Sequence, residues 1–320
     1  MVTIGYHASH EQFPPSELLA CVQAAEGAGF TAAMCSDHFA PWSERQGESG
    51  FAWSWLGAAM QATSLPFGVV NAPGQRYHPA IIAQAAATLA EMFPDRFWIA
   101  VGSGQAMNEH ITGEPWPPKP ERNDRLKECV DVMRALWAGE TVTHYGLVQV
   151  DEAKLWTRPQ TPPKIVGAAL SEETAEFVGS WADALITVNT ELDQLKRLIE
   201  AFRRGGGEGK PIYLQIHLSY AQTDEEARAS AFDQWRAVTN PGPVAVDLRT
   251  PEQLEAAAGF VRPADMDQFV KISSRPEQHV AWLQEYLALG FDGLYLHNVG
   301  HNQREFIEVF GERVIPALLR

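Results

Sequence analysis

Short, mostly apolar runs recur along the chain, each followed by a polar loop and then by a segment with apolar residues at helical spacing. The runs are Val2–Tyr6, Ala32–Ser36, Phe67–Asn71, Phe97–Gly102, Lys164–Ala168, Ala184–Val188, Ile212–Ser219 and Gly293–His297. They are apolar on both faces, so each is expected to be a parallel strand covered on one side by helices and on the other by a barrel interior. Helices are predicted over Pro15–Gly29, Pro79–Met92, Arg122–Ala138, Glu172–Gly179, Leu192–Arg204, Asp224–Trp235, Pro276–Gly290 and Gln303–Leu319. In the first of them Leu18, Leu19, Val22 and Ala25 share one face, Pro-Ser-Glu opens it and Gly29 closes it. Strict alternation allows a doubly wound open sheet or a (β/α)8 TIM barrel, and the number of units favours the barrel.

Two stretches break this rhythm: 139–163, after the helix of the fourth unit, and 240–275, after that of the seventh. The first reads as an insertion carrying a hairpin, Thr141–Thr143 to Val148–Val150 around Tyr145-Gly146, and the second as two short helices. Neither is a linker, so residues 1–320 read as one domain.

Charge narrows the partners. The 320 residues hold 25 Lys+Arg against 40 Asp+Glu, a formal charge of −15, with no basic run. Binding to polyanions works by displacing counterions with Lys and Arg, so nucleic acid and anionic membranes are excluded as partners. No apolar run reaches the roughly 18 residues of a membrane span, and the segment from Met1 to Phe13 lacks the basic and apolar regions of a signal peptide. The expectation is a cytoplasmic protein. Cys21, Cys35 and Cys129 lie far apart in apolar segments and are expected to be buried, reduced thiols.

In a (β/α)8 barrel the chemistry belongs at the C-terminal ends of the strands. His7, Ser9, His10 and Glu11 follow the first run, Asp37, His38 and Trp42 the second, Asn71 and Arg76 the third, and Ser103, Gln105, Asn108 and Glu109 the fourth. Ser171, Asn189, Tyr220 and then His297, His301 and Arg304 follow the later ones. Asp37-His38 ends an otherwise apolar run: either the histidine moves a proton near neutral pH, or Asp37 caps and His38 packs. Gly102-Ser103-Gly104-Gln105 is a turn whose backbone could approach a phosphate or flat ring, or one that needs glycine for its geometry alone. His297 with His301 and His7 with His10 have spacings that suggest a metal, but Gly300 breaks the helical face and no acidic cluster accompanies them, so none is expected. No Gly-x-Ser-x-Gly elbow is present. Of 10 tryptophans, Trp42, Trp53, Trp55 and Trp116 lie near the second and fourth loops, where one or two would suit a flat conjugated ligand.

Four motifs in order extend this reading: Ser-Asp-His-Phe-x-Pro-Trp over 36–42, Arg-Tyr-x-Pro-Ala-x-Ile-Ala-Gln-Ala over 76–85, Gly-Ser-Gly-Gln-Ala-Met-Asn-Glu over 102–109 and His-x-x-Gly-His-x-Gln-Arg-x-Phe over 297–306. Together they resemble the bacterial luciferase-like oxidoreductase superfamily, nearest to its deazaflavin-dependent sugar-phosphate and alcohol dehydrogenases. The resemblance implies a barrel that binds FMN or the deazaflavin coenzyme F-420 (F420) at its mouth, forms a homodimer, and acts on a small-molecule substrate by hydride transfer or monooxygenation, with a reductase or NAD(P)H as electron source. It implies catalytic roles for His38, Trp42, Glu11 and Gln105, and cofactor contacts from Asp37, Val70, Asn71, Ser103 and Asn108. It also implies that Leu170, Ser171, Glu173 and Thr174 hold the phosphate through backbone amides, and that the Val70–Asn71 peptide is cis.

Three departures bear on the activity. Gln105 stands where the dehydrogenases carry a carboxylate, Glu191 where the sugar-phosphate enzymes carry a lysine, and the loop Asn71–Arg76 is one residue short. An amide orients but cannot titrate, and a carboxylate repels phosphate. Sugar phosphate is therefore disfavoured; the departures together resemble a side branch of the superfamily that keeps the barrel while using FMN, and that resemblance implies FMN in preference to F420. The rival readings are a degenerate, non-catalytic flavin binder and a metal-dependent barrel hydrolase.

Overall fold

The computed structural model describes residues 2–240 and 242–319. Its strands are β1 (Thr3–Ala8), β2 (Ala32–Ser36), β3 (Phe67–Asn71), β4 (Phe97–Val101), β5 (Val142–Tyr145), β6 (Gln149–Ala153), β7 (Lys164–Ala168), β8 (Ala184–Val188), β9 (Ile212–Ser219), β10 (Lys271–Ile272) and β11 (Gly293–Asn298). All but β5 and β6 join one parallel sheet in the order β10-β9-β11-β1-β2-β3-β4-β7-β8, and a β8–β9 pairing closes it. Eight strands thus form the barrel, with β10 a short extra strand on β9. The barrel expectation holds, and five of its strands, β2, β3, β7, β8 and β9, have the expected bounds.

Side chains alternate between the lumen and the outer helices. On β9, Leu214 and Ile216 join the main apolar core, while Tyr213 packs with Trp98 and Tyr295 inside the barrel. Those three rings close the lumen near the strand starts. A Cβ on Gly68 would overlap the Trp98 indole and one on Gly5 the Tyr295 ring, so these glycines are what let the aromatic floor fit. The floor leaves the C-terminal ends of the strands as the place where the barrel opens.

The helices are α1 (Pro15–Gly27), α2 (Ala52–Ala62), α3 (Pro79–Met92), α4 (Ala106–Glu109), α5 (Lys119–Ala138), α6 (Glu172–Gly179), α7 (Leu192–Phe202), α8 (Asp224–Trp235), α9 (Gly242–Asp247), α10 (Pro251–Ala257), α11 (Pro276–Ala288), α12 (Gln303–Val309) and α13 (Ile315–Leu318). Local signals explain several starts. Thr223 and Glu226 form a reciprocal capping box on α8, Ser171 caps α6, and a proline occupies the first turn of α1, α3 and α11. The helix α2 was not expected. It lacks a side-chain cap and contains Gly57, but it buries Trp53, Trp55, Leu56 and Met60, so packing supplies what propensity does not. Helix α5 starts at Lys119 rather than Arg122, because Pro120 falls in the first turn, where its missing N–H has no partner to lose. The hairpin forms as β5 and β6, shifted by one to three residues, and the second insertion holds α9, α10 and a 3₁₀ turn at Pro263–Gln268. All three cysteines are buried and free.

Candidate active site

The barrel mouth has two unlike sides. Val70 (β3), Gly102 (just after β4), Ala168 (β7) and Val188 (β8) end neighbouring strands, are small or apolar, and remain half-exposed. A Cβ added at Gly102 would meet only the Ala168 Cβ, at 3.6 Å, so open space lies above this side. Across from it, β9, β11 and β1 end in Gln215, His217, His297 and His7.

An acid–base pair stands at the edge of these two surfaces. The loop after β1 places Glu11, and the loop after β2 places His38, with His38 Nδ1 2.6 Å from Glu11 Oε1. Ser9 donates its hydroxyl to the other Glu11 oxygen at 2.9 Å. Glu11 is 2% exposed; burial pushes its carboxyl up, but the His38 charge and hydrogen bond, with His7 nearby, outweigh that and hold it at about 2. With Nδ1 committed to Glu11, the other ring nitrogen of His38 is the one left for a reacting proton. Trp42 packs its ring edge-to-face with His38, centroids 5.2 Å apart, which fixes the imidazole from a second side.

Asp37 points the other way. Its Oδ2 accepts from Trp53 Nε1 at 3.0 Å and Asn71 Nδ2 at 2.8 Å, its Oδ1 from Tyr77 at 3.3 Å, and its backbone carbonyl from Arg76 at 2.6 Å. The carboxylate therefore ties β2, α2 and the loop after β3 together. Asn71 keeps its Oδ1 buried and without a partner. The peptide between Val70 and Asn71 is trans, against the expectation: no cis bond occurs among the described residues. The trans backbone still delivers the Asn71 amide to Asp37, so the network forms without the cost of a cis bond.

The loop after β4 turns at Gly104, whose φ of 81° lies in the left-handed region and whose missing Cβ lets Glu109 and Trp116 approach. Gln105, half-exposed, opens α4, and its Oε1 accepts from Asn108 at 3.4 Å. The Asn108 Oδ1 in turn accepts from the Phe39 N–H at 2.8 Å, locking this loop to the one carrying His38. Glu109 is buried against Arg76, accepting from its backbone N–H at 2.7 Å, and burial raises its carboxyl pKa. Ser103 accepts from Lys119 Nζ at 2.6 Å. Beyond the apolar side, Leu170 and Glu173 are exposed, and Ser171 caps Thr174 at the start of α6, which leaves the first amides of that helix facing out.

The polar side is packed ring on ring. His7 stacks on His297 with centroids 4.3 Å apart, His297 lies 5.5 Å from His217, and Trp235 from α8 covers both. Burial lowers the imidazole pKa of His7 to about 4, that of His217 to about 3, and that of His297 well below its usual value, so all three are neutral at pH 7.

Of the residues singled out from the sequence, Glu11, His38 and Trp42 come together. Val70, Asn71, Ser103, Gln105 and Asn108 border the same mouth, and Leu170, Ser171, Glu173 and Thr174 lie past it on the turn into α6. The side chains of Asp37 and Asn108 are taken up by internal hydrogen bonds. Gln215, His217 and Lys119 were missed. For the first two the available signal was the alternation Tyr213, Gln215, His217 between Leu214 and Ile216, which sets polar side chains on the lumen face of one strand. Lys119 brings a cation to Ser103, at the edge of the same mouth.

The fold and the Glu11–His38 pair put the protein among the TIM-barrel enzymes. The chain belongs to the luciferase-like monooxygenase family, whose model matches residues 1–293. It is 33% identical to the F420-dependent glucose-6-phosphate dehydrogenase of Beutenbergia cavernae, over 99% of this chain and 98% of that protein. The protein of the same name from Mycobacterium tuberculosis is also 33% identical, over 99% of this chain and 98% of that one. The solved structure of an F420-dependent secondary alcohol dehydrogenase in complex with an F420-acetone adduct superposes with a TM-score of 0.91 at 30% identity, covering 99% of both chains. The coenzyme F420-dependent tetrahydromethanopterin reductase from Methanopyrus kandleri, at 19% identity, 99% coverage of both chains and a TM-score of 0.80, shares the fold. The preference for FMN drawn from the three departures finds no support in these relatives.

Proposed function

We propose that the protein is an F420-dependent dehydrogenase of a small organic alcohol, working reversibly with the corresponding carbonyl compound. The observation that carries this reading is the 2.6 Å Glu11–His38 pair beside a small-residue floor. The names of the relatives favour F420 over FMN. The mouth fits a planar coenzyme with an anionic tail: Gly102 and Ala168 leave a flat floor, Val70 and Val188 flank it, Asn71 Oδ1 is buried and unpartnered, and Lys119 with the start of α6 offers donors for a phosphate.

F420 held on this floor would supply the acceptor for the hydride lost from the carbinol carbon as an alcohol becomes a carbonyl. His38 takes the hydroxyl proton on the nitrogen turned away from Glu11, and Glu11 holds the imidazole in that tautomer and stabilises the cation that forms. Ser9 fixes the Glu11 carboxylate, and Trp42 walls the imidazole from water. Gln105 orients without titrating. The proton is handled by His38 with Glu11, so the carboxylate lacking at position 105 is not required.

Fluorescence titration with F420 and with FMN, followed by assay of F420 reduction by alcohols, tests the reading. Micromolar F420 binding with turnover is expected; binding of neither coenzyme would reject it, and binding without turnover of any alcohol or carbonyl would leave a non-catalytic coenzyme binder in its place.

A further inference from the structure

The polar side of the mouth holds more hydrogen-bonding capacity than proton transfer uses. His217 and His297 sit opposite each other in the β9–β11 register. The Gln215 amide lies between them, donating toward His217 Nε2 at 3.3 Å and His297 Nδ1 at 3.5 Å, and Gln12 Oε1 receives His297 Nε2 at 3.0 Å. Gln12 is itself anchored to the Val299 carbonyl at 2.8 Å. With the rings neutral, this network puts the His297 proton on Nε2 and the His217 proton on Nδ1. His7 Nδ1 is buried and has no hydrogen-bond partner, although leaving a buried polar atom unmet is costly. A wall so arranged, with rotamers locked by stacking and a vacancy in its bonding, is built to receive a polar group from a ligand.

We infer that His7, Gln215 and His217 select the substrate, and that they select a small uncharged polyhydroxy compound, an unphosphorylated sugar or polyol, over a sugar phosphate or a simple alcohol. The inference rests on the dehydrogenase reading above. The reacting hydroxyl loses its proton to His38 and its carbon a hydride to F420, while the remaining hydroxyls bond to the wall. His217, its Nε2 already bonded to Gln215, presents its Nδ1–H, His7 presents an unpartnered Nδ1, and a hydroxyl can accept from the one and bond to the other. Phosphate meets no cation in this wall. It meets instead the Glu11 carboxylate, whose charge reaches His7. A simple alcohol fails for the opposite reason: it leaves the wall's donors and acceptors unpaired, and sites built to bond a substrate hydroxyl reject analogues that lack it.

The test assays F420 reduction by a panel of matched compounds, an aldose or polyol, its phosphate ester and a simple secondary alcohol, with wild type, His217→Leu, His7→Leu and His217→Gln. The neutral polyhydroxy compound is expected to exceed both others in kcat/KM by about 10-fold or more. His217→Leu and His7→Leu are expected to erase that margin chiefly through KM, with F420 affinity, read by fluorescence, unchanged. His217→Gln, which keeps a donor and an acceptor, should restore at least part of it. Preference for the phosphate or the simple alcohol, absence of turnover with every neutral polyhydroxy compound, or an unchanged margin in both leucine variants would overturn the inference. Failure of wild type to bind F420 would instead reject the dehydrogenase reading itself.

Discussion

The two sides of the barrel mouth are made from the same kind of strand and differ in what the strands present at their ends. On β3, β4, β7 and β8 the lumen face ends in Val70, Gly102, Ala168 and Val188, which bond to nothing and leave a shelf. On β9, β11 and β1 it ends in Gln215, His217, His297 and His7, which bond and stack among themselves. A flat conjugated ring loses little by lying on the first surface, and a hydrated, directional ligand gains from the second. Glu11 and His38 stand where the two meet. The division of labour proposed for the two sides is thus one of surfaces: one side for the coenzyme, the other for the substrate, with the proton handled at their seam.

The most direct way to break this division is at the seam. His38→Ala is expected to lower kcat by about 10²–10⁴-fold while F420 affinity changes little, because general acid–base catalysis contributes on that scale and the shelf is untouched. Single-turnover absorbance and fluorescence titration of the same preparation check both halves of the statement. Equal loss of affinity and rate would mean that His38 supports the coenzyme and not the reaction.

Next in size is the scaffold that separates the sides. Asp37→Ala would leave the Trp53 N–H, the Asn71 amide and the Tyr77 hydroxyl without their acceptor and Arg76 without a nearby carboxylate. Breaking such a buried set costs about 3 kcal/mol, which denaturant unfolding of the wild type and variant would measure.

A smaller effect is expected on the shelf. In Gly102→Val the new side chain points into open space, since only Ala168 lies within reach of the Cβ, at 3.6 Å. The melting temperature should therefore hardly move, while F420 affinity falls by about 10-fold or more as the added methyls occupy the floor. Unchanged affinity would show that the coenzyme lies elsewhere, and would leave the comparison of the two surfaces without its meaning.

How far all this was legible in the sequence depends on the range of the interactions. Strands such as Ala32–Ser36 and Ile212–Ser219 were readable because burial on both faces imprints a local composition, and α3 because a proline opens it and apolar spacing follows. Helix α2 was not, since its stability comes from burying Trp53, Leu56 and Met60 against elements distant in sequence. At the site, Glu11 and His38 were found by position at strand ends. That the Asp37 carboxylate serves the scaffold could not be read, because its partners lie 16 to 40 residues away. His217 went unnoticed for a related reason: a histidine within an apolar run takes meaning only once the register sets it beside His297 and His7. The preference for FMN rested on Gln105, Glu191 and the short loop after β3, and the names of the relatives do not support it. In the structure Gln105 precedes the short helix α4 and bonds to Asn108, and Glu191 stands at the start of α7.

A separate effect is expected on stability against pH, and it distinguishes the polar wall from the seam. His7 and His217 have folded-state pKa values near 4 and 3, below the 6.5 of an unfolded histidine, so between these limits the unfolded chain binds more protons. Their contribution to stability is complete above pH 6.5 and declines as pH falls toward 4 and 3, with a slope of at most about 1.4 kcal/mol per pH unit for each group. Glu11, held at about 2 against 4.5 unfolded, acts in a lower window: its contribution is complete above pH 4.5 and is lost as pH falls toward 2. Thermal melts from pH 7.5 to 3.5 should therefore begin to fall near pH 6.5, and the double variant His7→Leu/His217→Leu should fall less steeply below that point, the remaining decline coming from His297, His10 and His279, whose pKa values burial also lowers. A decline as steep as that of the wild type would mean that groups other than His7 and His217 set the stability of the mouth near neutral pH.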